Sequence, residues 1–432
     1  MVTRLLVGAA AAALLTLGAP ATAATSPEAP PARSFAMFGD PAVNAFYVSR
    51  GGEPLWLADG PGSPAANELI AILKRSSMEG LADGPGYAAQ AEALIARAQS
   101  GDRSALLEAD RLLSTGWVKY VQLLHRPAAG MTYAERWVAP RRESATDILK
   151  LAGAARSPDR YLRTTTAVNP IYAALRDAAL ASGASADPRV AASLDRARAF
   201  PARGRYLVVD TASAQLWMVD DGRIADSMKV IVGKPNSQTP MIASAIHYAT
   251  LNPYWNVPPD MVRTLIAQNV LSQGPGYLKA HGYQLLSGFG DDAEIISPAD
   301  VDWKAVANGT ATLRVRQLPG PGNSMGRLKF GFANDAGIYL HDTPKKELFA
   351  SDDRDLSHGC IRLEDAERLG RWLLGHDPST DSNTPEQHVL LPAPVPVYVT
   401  YLTAHADNGQ LTFVDDIYNR DARGVGELAA LR

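Results

Sequence analysis

The only cysteine of this chain lies in a short polar segment that also contains a histidine and a glycine. Cys360 is the single cysteine in 432 residues, and it lies in the sequence Ser357-His358-Gly359-Cys360-Ile361-Arg362. A lone thiol cannot form an internal disulfide, so it is a buried bystander, a bridge to another chain or a nucleophile. The neighbouring residues favour a nucleophile.

A catalytic thiol needs a base or a positive local field, because only the thiolate attacks a carbonyl efficiently. His358 is two residues before Cys360, and in a tight turn such a residue tends to point elsewhere. His341 ends a predicted strand, and an adjacent strand end can place an imidazole within hydrogen-bond reach. We therefore predict His341 as the base and Gly359 as the residue that lets the turn bend sharply. A helix that begins soon after Cys360 would also favour the thiolate and a developing oxyanion.

A zinc site built from Cys360, His358 and His341 is the alternative use of the same side chains. The sequence has no second cysteine, hence no Cys-x-x-Cys pair, and no His-Glu-x-x-His motif. Such motifs are the usual signals of a zinc site. We therefore expect neither a metal nor another cofactor.

Charge and the N-terminus limit the class of protein. The formal net charge is −3 and there is no basic block, so we expect no nucleic-acid partner. Residues 1–24 contain Arg4, an apolar stretch over 5–18 and small residues near 21–24, which predicts a secretion signal. A retained membrane anchor is the alternative. Residues 25–35, rich in Pro and Ala, are predicted to be a flexible leader.

Two patterns divide the rest of the chain, and they predict an α+β fold. Residues 36–203 are rich in Ala, Leu and Arg at helical spacing, which predicts a helical domain. Residues 204–420 contain short β-prone runs, which predict a strand-dominated domain before a tail over 421–432. Strands are predicted at 206–210, 215–219, 228–232, 245–251, 337–341, 395–403 and 410–414. Two helices interrupt them, one that begins after Pro258-Pro259 and runs to about residue 271, and one at 364–374.

A long connection lies between the first of those two helices and the strand that ends at His341. It spans residues 272–334 and contains the Gly-Pro clusters 274–276 and 319–322. A connection of this length inside a compact domain is usually a functional lid or binding loop, and a disordered segment is the alternative. We predict a lid over the thiol.

The segment from Ser357 to Arg362, preceded by His341, resembles the signature of the L,D-transpeptidases, whose catalytic domain is named YkuD. Fifteen residues separate His341 from Ser357, in keeping with the spacing of that signature. Other segments resemble the large Gram-negative subgroup typified by YcbB, among them 230–235, 239–241, 251–259, 319–330, 338–344 and 397–416. The resemblance is strong over residues 204–420 and weaker in the helical half, which is similar to the scaffold domain of that subgroup.

The resemblance implies a mixed β-sheet catalytic domain with a capping subdomain, in a periplasmic cell-wall enzyme. Cys360 would attack the L-centre of diaminopimelate in a stem tetrapeptide and expel D-alanine, and the acyl group would pass to an amine of a neighbouring stem as a 3→3 cross-link. His341 would be general base and acid. The resemblance also implies supporting roles for the backbone at His358, Gly359 and Cys360 in the oxyanion site, for Ser357 and Arg362 in shaping the pocket, and for Tyr339 and Trp255 in lining the donor cleft.

Several expectations about partners and alternatives follow. The expected partners are peptidoglycan stem peptides, carbapenems as acylating inhibitors, and other proteins of cell-wall synthesis. The small peptidoglycan-binding module typical of the subgroup has too little room between residues 187 and 203, so we expect it to be absent. Arg362 could instead form a structural ion pair with Glu364 or Asp365. A hydrolytic relative and a non-catalytic wall-binding scaffold remain as alternative functions.

Overall fold

The computed structural model describes residues 40–290, 292–378 and 384–421. The predicted signal peptide and leader, and almost all of the predicted tail, lie outside these ranges. The described residues belong to one compact unit that begins at Asp40. Within them, no helix combines the length and the apolar character that a membrane crossing requires.

The first half of the structure is helical, as the sequence predicts. Five of its eight helices begin with proline, which suits the first turn because the N–H that proline lacks has no partner there. The eight helices are α1 (Pro41–Ser49), α2 (Pro64–Arg75), α3 (Gly84–Gln99), α4 (Arg103–Leu124), α5 (Ala145–Ala154), α6 (Pro158–Thr166), α7 (Pro170–Ser182) and α8 (Pro188–Ala197). A short strand, β1 (Thr132–Tyr133), and a 3₁₀ turn at Arg136–Val138 lie between α4 and α5.

The second half is built on a mixed sheet whose strands form a closed circuit. The neighbours follow the order β5-β13-β2-β3-β4-β12-β10-β9, and β9 pairs again with β5; β1 and β11 extend the sheet beside β5 and β4. The sheet strands are β2 (Tyr206–Asp210), β3 (Gln215–Asp220), β4 (Arg223–Gly233), β5 (Ile242–Leu251), β9 (Leu328–Phe332), β10 (Tyr339–His341), β11 (Asp355–Ser357), β12 (Ile361–Leu363) and β13 (Gln387–Thr400). Outside the circuit, β14 (Ala404–Asp407) and β15 (Gln410–Phe413) form a hairpin. The α+β prediction is confirmed.

Alternation along β2 joins the two halves of the molecule. Tyr206 and Val208 are buried in the same apolar core as the scaffold helices, whereas Leu207 and Val209 are buried in the core inside the strand circuit. Successive side chains of a strand point to opposite faces, so one buried strand can serve two cores. The helical half therefore packs directly on the back of the sheet.

Strand β13 begins eight residues earlier than predicted. The region before residue 395 carries Pro392 and Pro394, which cannot donate to a ladder. The register with β5 shifts between Leu390 and Val395, so these prolines fall at the irregularity, where no ladder bond is lost.

A small subdomain with its own core is inserted between β5 and β9. It contains a three-stranded antiparallel sheet in the order β6-β8-β7 and a buried apolar cluster that runs from Trp255 to Met325. Its elements are β6 (Trp255–Val257), α9 (Pro259–Met261), a π-helical turn (Val262–Ile266), α10 (Ala267–Gln273), α11 (Gly276–Ala280), β7 (Tyr283–Leu286), a 3₁₀ turn (Pro298–Asp300), α12 (Trp303–Asn308) and β8 (Arg314–Gln317). We call residues 255–325 the cap.

The bounds of the cap differ from the predicted insertion at 272–334. The helical run from Pro259 to Gln273 contributes Val262, Ile266 and Val270 to the core of the cap, so the cap starts earlier. Strand β9 pairs with β5 and β10 and belongs to the main sheet, so the cap also ends earlier. Short apolar runs do not reveal which of two sheets they join, because pairing is decided by tertiary contacts.

The segment after Cys360 also differs from the prediction. Ile361–Leu363 is a strand that pairs with β4 and β10, and the helix α13 (Ala366–Leu374) begins only after the N-cap residue Asp365. The helix N-terminus is therefore separated from the thiol by an extended strand. The expected stabilisation of a thiolate by that helix is not available.

Candidate active site

Two adjacent parallel strands bring the predicted base close to the segment that carries the predicted nucleophile. Strand β10 pairs with β12 so that Leu340 faces Ile361 and His341 faces Arg362. Leu340 and Ile361 are fully buried in the core inside the strand circuit. By alternation, Tyr339 and His341 of β10 and Arg362 of β12 face the opposite side, and Cys360 immediately precedes β12.

That opposite side opens into a cavity between the main sheet and the cap. Its volume is about 370 Å³, and it contains side chains from both parts of the molecule. The predicted residues that line it are Trp255, Tyr339, His341, Ser357, His358, Cys360 and Arg362. The structure therefore places every predicted site residue except Gly359 in the lining of one cavity.

His341 is held by the carbonyl of the next residue. Its Nδ1 lies 2.5 Å from the carbonyl oxygen of Asp342, which can only accept, so Nδ1 carries the proton and Nε2 keeps the free lone pair. The side chain is only 3% exposed, and this burial lowers the pKa of His341 from 6.5 to about 3, despite the Asp342 contact that opposes the change. The imidazole is therefore neutral at neutral pH and able to accept a proton.

Cys360 lies in a setting that keeps its resting thiol protonated. Burial raises the pKa of Cys360, although hydrogen bonds from the main chain and hydroxyl of Tyr339 and the charges of Arg362 and Lys329 act in the opposite direction. The thiol also lies 3.8 Å from the carbonyl oxygen of Gly337. The thiol and the imidazole are therefore both uncharged at neutral pH.

The turn before Cys360 is fixed by the Ser357 hydroxyl. This hydroxyl accepts from the N–H of Gly359 at 3.1 Å and donates to the carbonyl of Cys360 at 2.6 Å. Gly359 has φ +112°, a backbone conformation that favours glycine, and a Cβ there would lie in close contact with Ile338 Cδ1 at 3.1 Å. The N–H of Gly359, one of the predicted oxyanion donors, is thus bonded to Ser357 in this structure.

Arg362 faces the cavity rather than an ion-pair partner on its own segment. Glu364 accepts a hydrogen bond from the main-chain N–H of Lys229, and Asp365 caps α13 and pairs with Arg368. Burial lowers the pKa of Arg362, and the electrostatic interaction with Cys360 opposes this shift. The guanidinium is thus a positive charge beside the sulfur.

Several cavity residues of the cap were not predicted from the sequence. Met261, Leu265, His281, Tyr283 and Met325 line the cavity together with the predicted Trp255. The rings of Trp255 and Tyr283 have centroids 6.4 Å apart. These residues carry no chemical motif, and only their spacing within the predicted lid could have drawn attention to them.

His358 and His341 occupy different environments. His358 is exposed at the edge of the cavity, whereas His341 is buried. Among residues 40–290, 292–378 and 384–421, no group of three or more His, Cys, Asp and Glu side chains could hold a metal ion.

Comparison with known proteins assigns families to both halves of the chain. Residues 204–398 match the L,D-transpeptidase catalytic domain, YkuD, and residues 41–178 match the Scaffold domain. A protein of Haemophilus influenzae, whose name assigns it provisionally to the L,D-transpeptidases, is 26% identical over 404 residues, which cover 88% of this chain and 78% of that protein.

Solved structures of L,D-transpeptidases also match, at low similarity. The enzyme from Mycobacterium smegmatis aligns with 13% identity and a TM-score of 0.24 over 45% of this chain and 58% of that chain. L,D-transpeptidase 3 from Mycobacterium tuberculosis, in complex with a faropenem-derived adduct, aligns with 13% identity and a TM-score of 0.23 over 46% of this chain and 60% of that chain. The chain spans about half to three fifths of the length of the solved structures it matches. On the two domain matches, residues 204–398 of this chain are a YkuD L,D-transpeptidase catalytic domain, which follows a Scaffold domain at residues 41–178.

Proposed function

We propose that the protein is a peptidoglycan L,D-transpeptidase that forms 3→3 cross-links through an acyl-enzyme on Cys360. The observation that carries the proposal is the convergence of Cys360 and a neutral, oriented His341 on one cavity. The Cys360 sulfur attacks the carbonyl at the L-centre of diaminopimelate in a donor stem. The carbonyl carbon forms a bond to sulfur and its bond to D-alanine breaks.

His341 carries the proton through both halves of the reaction. In acylation, Nε2 takes the thiol proton and returns it to the amine of the departing D-alanine. In the second half, Nε2 takes a proton from the acceptor amine as that amine attacks the thioester, and returns it to the sulfur. The hydrogen bond to the Asp342 carbonyl supports this assignment, because it keeps the proton on Nδ1 and leaves the lone pair of Nε2 free.

Positive charge and backbone donors would stabilise the developing oxyanion. With the N–H of Gly359 occupied by Ser357, the main-chain N–H groups of His358 and Cys360 are the remaining donors of the turn. Arg362 and Lys329 add a positive field around the sulfur. Preorganised donors and charges of this kind often supply the largest part of catalysis in acyl transfer.

The cap would protect the thioester from water. Its apolar residues Trp255, Met261 and Leu265 form part of the cavity wall over the catalytic residues. Exclusion of water favours an amine acceptor over hydrolysis. The cavity is also the place where a carbapenem would acylate Cys360.

The experiment is incubation of the purified enzyme with disaccharide-tetrapeptides, followed by mass measurement of the products. Dimers that lack one D-alanine support transfer, and monomeric tripeptides would instead identify a hydrolytic L,D-carboxypeptidase. The Cys360→Ala variant serves as the control and should form neither product. Cross-linking by that variant, or binding of wall fragments without any turnover by the wild type, would overturn the proposal.

We further propose export to the periplasm, which rests on the signal pattern in residues 1–24. The substrate lies outside the cytoplasmic membrane, so an exported enzyme would meet it directly. Fractionation of cells that express the full chain tests this, and recovery of the unprocessed protein in the cytoplasm would contradict it.

A further inference from the structure

The turn that carries Cys360 is hydrogen-bonded by a buried residue that is distant in sequence. Thr239 is fully buried, and its hydroxyl makes two hydrogen bonds. It accepts from the N–H of Gly233 at 2.9 Å and donates to the carbonyl of Gly359 at 2.8 Å. A hydroxyl has one proton, and acceptance from Gly233 leaves that proton for the Gly359 carbonyl.

The Gly359 carbonyl belongs to the same peptide unit as the N–H of Cys360. The peptide is planar and trans, so its carbonyl and N–H point in opposite directions. Thr239 holds the carbonyl on the buried side of the turn. The N–H of Cys360 is thereby directed away from Thr239, and Cys360 itself lines the cavity.

We propose that Thr239 is a positioning residue for the oxyanion donor of Cys360. The inference rests on the proposed function, since an oxyanion forms only if Cys360 attacks a carbonyl. A donor that is fixed before the reaction costs no reorganisation when charge develops, whereas a mobile peptide unit would lose part of that benefit.

A C-terminal segment holds Thr239 in turn. The Arg420 guanidinium donates to the main-chain carbonyl of Thr239 at 2.8 Å and to the Gln238 side chain at 3.1 Å. The Tyr418 hydroxyl donates to the carbonyl of Gly233, the residue whose N–H donates to Thr239. The loop from Gly233 to Thr239 is tight, because a Cβ at Gly233 would lie 2.2 Å from the carbonyl oxygen of Ser237.

The helical half of the molecule contacts the same C-terminal segment, residues 418–421. Arg196 on α8 donates to the main-chain carbonyl of Arg420 at 3.1 Å and pairs with Asp421 at 2.6 Å. Arg196 and Asp421 are both buried. A continuous set of contacts therefore leads from a scaffold helix through residues 418–421 to Thr239 and the catalytic turn.

The test compares two reactions of the same thiol. Acylation by a carbapenem such as meropenem passes through an oxyanion, whereas alkylation by iodoacetamide does not. Thr239→Val keeps the shape of the side chain and removes its hydroxyl. We expect acylation to slow about tenfold to a hundredfold, which is less than the ~10²–10³ typical of deleting an oxyanion donor outright. Alkylation should stay within about twofold of the wild type, and Thr239→Ser should restore most of the acylation rate, since the donor returns.

Thr211→Val is the matched control. Thr211 is also fully buried and also donates to a main-chain carbonyl, but its partner at 2.8 Å is Thr400 rather than a residue of the turn that carries Cys360. Both reactions should be unchanged in this variant. If Thr239→Val does not fold, Arg420→Met loosens Thr239 from outside the turn and should show the same selective loss of acylation.

Three outcomes would overturn the inference. Unchanged acylation in Thr239→Val, equal losses of acylation and alkylation, or no recovery in Thr239→Ser would each show that Thr239 does not position the donor. Failure of the proposed function is distinct, because it would appear in the wild type as absence of carbapenem acylation at Cys360.

Discussion

The burial of His341 predicts a specific loss of stability in mild acid. Folding holds the imidazole at 3% exposure and lowers the pKa of His341 to about 3, whereas in the unfolded chain it stays near the ordinary value of 6.5. Between these two values the unfolded chain binds one proton that the folded protein does not. The free energy of unfolding therefore falls as pH decreases from about 6.5 towards about 3, and this contribution is constant above neutral pH.

The size of the effect follows from the two pKa values. Each pKa unit is worth about 1.4 kcal/mol, so a decrease from pH 7 to pH 5 should cost about 2 kcal/mol through His341 alone. His341→Asn removes the titrating group, and its amide nitrogen can still donate to the Asp342 carbonyl. The difference in unfolding free energy between the wild type and this variant should therefore change by about 2 kcal/mol over that range.

The measurement is denaturant unfolding of both proteins at several pH values from 5 to 8, with His358→Asn as the matched control. His358 is exposed, so its substitution should leave the pH dependence of the wild type in place. A wild-type protein and a His341→Asn variant with parallel stability curves between pH 5 and 7 would refute the reasoning, because His341 would then titrate alike in the folded and unfolded chain.

Three further predictions concern activity. His341→Asn should slow carbapenem acylation of Cys360 by a factor of about 10²–10⁴, which is the usual cost of losing general acid–base catalysis, and His358→Asn should slow it less. Mass spectrometry of the acylated protein over time measures both rates, and a larger loss in His358→Asn would reverse the two roles. Arg362→Met should slow acylation more at low than at high ionic strength, because the variant loses a positive charge near the sulfur. A loss of rate that does not depend on salt would show that Arg362 acts through its packing in the cavity wall instead. Replacing residues 253–326 with Asn-Gly should join β5 and β9 as a hairpin, because the main-chain N–H of Asn252 already donates to the carbonyl of Arg327 at 2.9 Å. In this variant we expect Cys360 to remain open to alkylation, and cross-linking to give way to hydrolysis or to stop. Cross-linking at the original rate would contradict the shielding role of the cap.

The sequence alone identified the parts of this protein that depend on local pattern and chemistry. A lone cysteine beside a glycine, and a histidine at the end of a β-prone run, located both members of the pair that now face one cavity. Strand β2 was predicted with its observed ends, since a short β-branched run has strong local preference. These features follow from neighbours within a few residues.

The tertiary structure decided what distant segments do to one another. Strand β9 joined the main sheet through its pairing with β5, which moved the end of the cap. Ile361–Leu363 became a strand because β4 and β10 were available on either side, so no helix begins at the thiol. The contact between Thr239 and Gly359 joins residues 120 positions apart, and the depressed pKa of His341 comes from burial by the assembled domain. Pairing, burial and long-range hydrogen bonds exist only once the chain has folded, so no local pattern of residues encodes them.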